Sequence, residues 1–138
     1  MAFAATTPSG HSIMLDTDPG HGGHDQGPDP QSLLLVALGS CTGMDVIAIL
    51  RKKRQVVTSY VVNVYGNRAQ DHPRIYTHIV AEHVVGGQGV DPKAVARAIE
   101  LSTTRYCPVH ALLSKATRVE HVYRVLELLP GGENLTCD

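Results

Sequence analysis

A chain of 138 residues supports one ordinary domain and is too short for two with separate cores. Its 43% hydrophobic and 18% charged residues exclude disordered and fibrous classes. Twelve Lys and Arg against thirteen Asp and Glu leave a formal net charge of −1, which gives no general attraction for polyanions. With no Trp and one Phe, stacking platforms for single-stranded nucleic acid would rest on five Tyr alone. The run Leu33 to Leu38 is far shorter than the roughly 18 apolar residues that cross a bilayer. The segment before Ser9 carries no Lys or Arg, unlike a secretory leader. The expectation is a cytosolic protein that binds neither membrane nor nucleic acid. Three Cys are too few for a disulfide framework and, in a reducing cytosol, remain thiols.

In chain order, Phe3 to Asp16 broken by Pro8-Ser9-Gly10 predicts two strand-like pieces around a turn. A loop through Asp18-Pro19-Gly20 and Gly27-Pro28-Asp29-Pro30 leads to a helical stretch from Gln31 to Leu50. Apolar residues on most of its circumference predict burial on nearly all sides, with a possible break near Gly39. Residues 1–50 hold five Asp and no Lys or Arg, and Arg51-Lys52-Lys53-Arg54 reads as a helix end, where cations complement the dipole. Residues 56–65 and 75–85 predict two strands, most simply paired antiparallel. Asp91-Pro92 is an N-cap followed by Pro at the first helical position, opening a helix towards Thr104. Cys107-Pro108 opens another through Ala116, and Val119 to Leu128 is the last strand. The order β, β, α, β, β, α, α, β predicts an α+β domain over residues 1–138, with 129–138 read as a flexible tail.

Chemistry centres on the cysteines. Cys41, in Gly39-Ser40-Cys41-Thr42-Gly43, and Cys107, before Pro108, both fall near expected helix starts. There a dipole and free peptide N–H groups lower a thiol pKa. A buried apolar thiol is inert instead, and spacing alone does not pair the two. Cys137 reads as an exposed spectator in the Gly-rich tail. His21 and His24, with Asp16, Asp18 and Asp25 nearby, offer metal-type donors, yet the Gly-rich setting favours a polar surface loop, and no metal is assigned. His72, His78, His83 and His121 read as exposed or cross-strand residues; His110, three after Cys107, faces the thiol or is a bystander. Gly86-Gly87-Gln88-Gly89 lacks the Lys-Ser/Thr of a phosphate loop and is a strand-to-helix turn.

The stretch from Gly27 to Val46, followed by Arg51 to Arg54, resembles the first-cysteine motif of the OsmC/Ohr family. His72-Pro73-Arg74, Asp91-Pro92, Ala98 to Ser102 and Tyr106-Cys107-Pro108-Val109 resemble its second-cysteine region, so the similarity covers roughly residues 9–127. The resemblance implies an OsmC-like α+β fold, with two central helices wrapped by antiparallel sheets in an intertwined homodimer. It also implies a thiol-dependent peroxidase that reduces organic hydroperoxides, with Cys41 attacking the peroxide and Cys107 closing a disulfide. A dithiol, of the lipoyl type that related members favour, would re-reduce the pair without metal or organic cofactor. Leu34, Leu38, Met44 and Ile47 would form an alkyl pocket at the dimer interface. The family's peroxidases place a Glu before the first Cys and an Arg on an N-terminal strand. Here Gln31-Ser32 stands at the first place, and the first Arg is Arg51. The rival readings are a thiol redox sensor or small-ligand-binding protein without turnover, and a structural dimer with both Cys in its core.

Overall fold

The computed structural model describes residues 1–128, so Cys137 and the expected tail lie outside them. Two compact units divide the chain after Val36. In the first, β1 (Phe3–Thr6) and β2 (Ser12–Leu15) form an antiparallel hairpin with Phe3 opposite Leu15. The turn between them contains Gly10 at φ 87°, a left-handed conformation that glycine takes without steric cost. The following loop is organised by buried Asp16. Its carboxylate accepts from the N–H of Thr17 at 2.8 Å, His24 at 3.0 Å and Gln26 at 3.3 Å. These peptide donors, Thr17 foremost, hold its carboxyl below the usual range despite burial. His21 in turn pairs with Asp18 at 2.9 Å, so the His21–His24 region is a loop built on carboxylate-to-peptide bonds.

Helix α1 (Pro30–Lys52) runs unbroken through Gly39, which corrects the expected break. Arg51 and Lys52 occupy its last turn, as the charge pattern predicted. Its burial also differs from expectation. Leu38, Thr42, Val46 and Leu50 are buried, an i, i+4 stripe, whereas Val36 and Met44 are 58% and 70% exposed. One layer of sheet covers one stripe of a helix, and the other apolar faces are left uncovered. By length and composition alone this helix would also suffice to cross a membrane, but Val46 and Leu50 belong to the core described next.

In the second unit β3 (Val56–Arg68) pairs antiparallel with β4 (Tyr76–Gln88), and β4 pairs parallel with β5 (Arg118–Glu127). The sheet order is β3-β4-β5. The parallel return makes the sheet mixed, and it is possible because the connection is long and helical. That connection carries α2 (Pro92–Leu101), a π-type turn over Ser102–Tyr106, and α3 (Pro108–Leu113). Asp91 caps α2 through the Lys93 N–H at 2.9 Å, with Pro92 at its first position. Val46, Leu50, Val85, Val90, Val95, Ala98 and Ile99 close the core between α1, α2 and the sheet. Gly39 sets how closely α1 meets β3: a Cβ built there would lie 2.9 Å from Val64 Cγ2. At Gly87 a Cβ would fall 1.9 Å from the Val56 carbonyl oxygen, so glycine there serves close strand pairing, not a phosphate.

Candidate functional site

Because α1 is continuous, Cys41 lies in its middle, where the peptide N–H groups are already bonded within the helix. The expected helix-start activation therefore does not apply to it. Cys41 is half-buried and remains a free thiol. The other cysteine does stand at a helix start. A π-type turn ends with the Cys107 N–H donating to the Ser102 carbonyl at 2.8 Å, and Cys107 becomes the N-cap of α3. Such turns re-aim a chain by one extra residue and recur at functional sites. Buried Ser102 anchors the turn by donating to Asp45 Oδ2 of α1 at 2.9 Å.

These two placements bring the sulfurs close enough to act on each other: the Cys41 thiol helps to raise the pKa of Cys107. Cys107 Sγ also accepts from the His110 N–H at 3.3 Å. The dipole argument nevertheless gives the wrong direction for Cys107. Burial pushes its thiol up to about 11, the Cys41 sulfur adds to the rise, and the peptide N–H groups of His110 and Val109 offset only part of it. Six residues of α3 supply a weak dipole, while loss of water acts on the whole charge.

The imidazole of His110 points away into a second feature, which the sequence reading did not single out. His110 Nδ1 meets His121 Nε2 at 3.1 Å, His121 Nδ1 meets His83 Nε2 at 3.0 Å, and His83 Nδ1 meets the Tyr60 hydroxyl at 2.6 Å. The rings are also packed, with centroids 5.0 Å apart for His110 and His121 and 5.3 Å for His121 and His83. Burial lowers the pKa of all three, to about 4 for His83 and about 3 for His121, where the other two imidazoles oppose a further charge. Neutral at physiological pH, each ring offers one donor and one acceptor. The register accounts for the alignment. Val62 faces His83 and Ala81 faces His121, so Tyr60, His83 and His121 are diagonal neighbours on one face of β3-β4-β5. A sequence signal existed: His83 shares the parity of Ile79, Ala81 and Val85, the core-facing row of β4.

His110 and His121 border a cleft of about 430 Å³ floored by Ala96, Ile99 and Val119, with Glu100 and Thr103 at its edge. The remaining expected histidines are peripheral. His78 pairs with Glu120 across β4 and β5, and His72 lies exposed in the β3–β4 turn. The proposed alkyl wall does not share one surface, since Leu38 is fully buried and Leu34 and Met44 are exposed. Arg105, two residues before Cys107, lies over the Tyr106 ring.

Comparison with known proteins identifies the fold and the family. The chain is 37% identical to protein YhfA of Escherichia coli K12 over 126 residues, which is 91% of each chain. A crystal structure of a hypothetical protein from Aquifex aeolicus superposes with a TM-score of 0.74 at 32% identity, covering 94% of this chain and 97% of the other. An organic hydroperoxide resistance protein from Elizabethkingia anophelis shares the fold at 15% identity and a TM-score of 0.65, covering 90% and 94%. Residues 23–122, which contain both cysteines, match the family described as OsmC-like protein, and the chain belongs to that family.

Proposed function

We propose that this protein is a thiol-dependent peroxidase that reduces organic hydroperoxides through Cys41 and Cys107. The observation that carries the reading is the nearness of the two thiols, one from mid-α1 and one from the cap of α3, at which the Cys41 sulfur raises the pKa of Cys107. Their unequal settings divide the labour. Half-exposed Cys41 is the sulfur a peroxide can reach, and Cys107, kept protonated by burial, suits the second step. Cys41, deprotonated, attacks the terminal oxygen; the O–O bond breaks, the alkoxide leaves with that proton as an alcohol, and Cys41 becomes a sulfenic acid. The Cys107 sulfur then attacks the Cys41 sulfur, its proton leaves with the hydroxide as water, and a disulfide remains. An external dithiol exchanges with that disulfide and restores both thiols.

Membership of the OsmC-like family and a fold shared with a hydroperoxide resistance protein support this chemistry. A homodimer in a reducing, cytosolic compartment belongs to the same proposal, with exposed Val36 and Met44 on α1 as part of the surface a second copy would cover. The second reading, a thiol sensor without turnover, is favoured by Gln31-Ser32 and by the absence of any Arg before Arg51. Near a thiolate, Arg supplies charge that the peptide groups here replace only in part.

Mixing reduced protein with cumene hydroperoxide and dihydrolipoamide tests the proposal. Steady peroxide loss is expected for the parent, a fall of at least about 100-fold for Cys41→Ser, and a stall at the sulfenic acid for Cys107→Ser. Undiminished turnover in Cys41→Ser would overturn the assignment. A disulfide that forms once and resists the dithiol would establish the sensor instead.

A further inference from the structure

The histidine chain does more than fill the sheet face. His110 contributes two groups: its main-chain N–H reaches the Cys107 sulfur at 3.3 Å, and its ring is the end of the chain that runs through His121 and His83 to Tyr60. The other groups in α3 give no comparable grip, because none of its six residues is buried. We propose that Tyr60, His83 and His121 are positioning residues for Cys107, holding the first turn of α3 on the sheet so that the His110 N–H stays on the sulfur and the thiol stays buried.

Hydrogen counting supports a chain that is fully connected. Tyr60 contributes one hydroxyl hydrogen and three neutral imidazoles contribute one each, enough to fill the three links between them and leave one at an end. With the Tyr60 hydroxyl donating to His83 Nδ1, every link is directed towards His110, and the surplus N–H is its Nε2. Breaking such a chain costs stability, most of all at fully buried His83, whose orphaned ring nitrogen would lack water. The groups facing it from neighbouring elements are Glu100 of α2, which pairs with Arg97 at 2.9 Å, and Tyr123 of β5 on the cleft wall. This inference deepens the proposed function, since it concerns control of the second thiol, but its test needs no peroxide chemistry.

The experiment is site-resolved alkylation of the reduced, full-length protein by iodoacetamide from pH 7 to 10, read peptide by peptide in the mass spectrometer. His121→Phe keeps a ring of similar size and removes both ring nitrogens; His121→Gln restores one donor and one acceptor. If hydrogen bonding positions α3, Phe speeds Cys107 modification about tenfold at pH 8 and lowers its pH midpoint, because the thiol regains water. Gln returns both towards the parent. Tyr60→Phe, which removes a single oxygen at the far end, shifts them the same way by a smaller factor and serves if His121→Phe does not fold. If Phe leaves Cys107 unchanged while Gln perturbs it, the ring matters only as packing and the proposal falls. It falls equally if no variant changes Cys107. A parent that alkylates as expected but fails to consume peroxide would defeat the proposed function and leave this inference standing.

Discussion

The middle of α1 and the first turn of α3 each present one cysteine, and they treat it in opposite ways. Within α1 the backbone is saturated, so Cys41 receives no peptide donor from its own helix, yet it keeps access to solvent. At the start of α3 Cys107 has a peptide donor and little water, and burial wins by raising its thiol. A helix N-terminus is therefore a poor guide to reactivity unless exposure is known as well. Loss of hydration acts on the full charge, whereas one N–H of a short helix returns a fraction of it.

Alkylation kinetics sharpen the contrast most. With a thiol near 11, only about a thousandth of Cys107 is thiolate at pH 8, so its modification should be roughly 100-fold slower than that of an ordinary exposed thiol. Cys41 should be modified first. Equal rates would show that burial does not separate the two sites.

A smaller effect should follow from Gly39→Ala. The new methyl would press on Val64, 2.9 Å from its Cγ2, and shift α1 with the Cys41 it carries. We expect a loss of about 1–3 kcal/mol in urea unfolding, together with slower closure of the Cys41–Cys107 disulfide by an added oxidant. A stable variant with unaltered closure would mean that α1 tolerates displacement without moving its thiol.

A third effect is a pH dependence. His83 and His121 have folded pKa values below the unfolded value of 6.5, so the unfolded chain binds more protons as pH drops below that value. Their contribution to stability is complete above pH 6.5 and is lost progressively as pH falls towards 4 and then 3. The urea midpoint should decline over that window, and His83→Gln should flatten the decline while lowering the midpoint at pH 7. A midpoint independent of pH between 7 and 4 would place the protons elsewhere.

Local rules carried much of this molecule. The Pro8-Ser9-Gly10 turn, the alternation in β3 and β4, and the Asp91-Pro92 and Cys107-Pro108 helix starts all follow from short-range sterics and capping, and all are present. The α1 reading erred where a local pattern was asked a tertiary question. Its apolar residues state that it wants cover on several faces, not how many faces one chain covers. His83 was legible from its parity, but its partners were not. Tyr60 and His121 lie on strands whose alignment with β4 depends on a hairpin register and on the 29-residue crossover of residues 89–117.

By itself, the sequence determined the elements, their caps, the apolar character of α1 and the two-cysteine pattern of an OsmC-like protein, because backbone sterics and side-chain periodicity act within a few residues. Only the tertiary structure decided that Cys41 meets Cys107 and that three imidazoles and a phenol join in series. Those contacts join residues up to 66 positions apart, and such meetings are set by how helices pack and strands align, which no local interaction along the chain specifies.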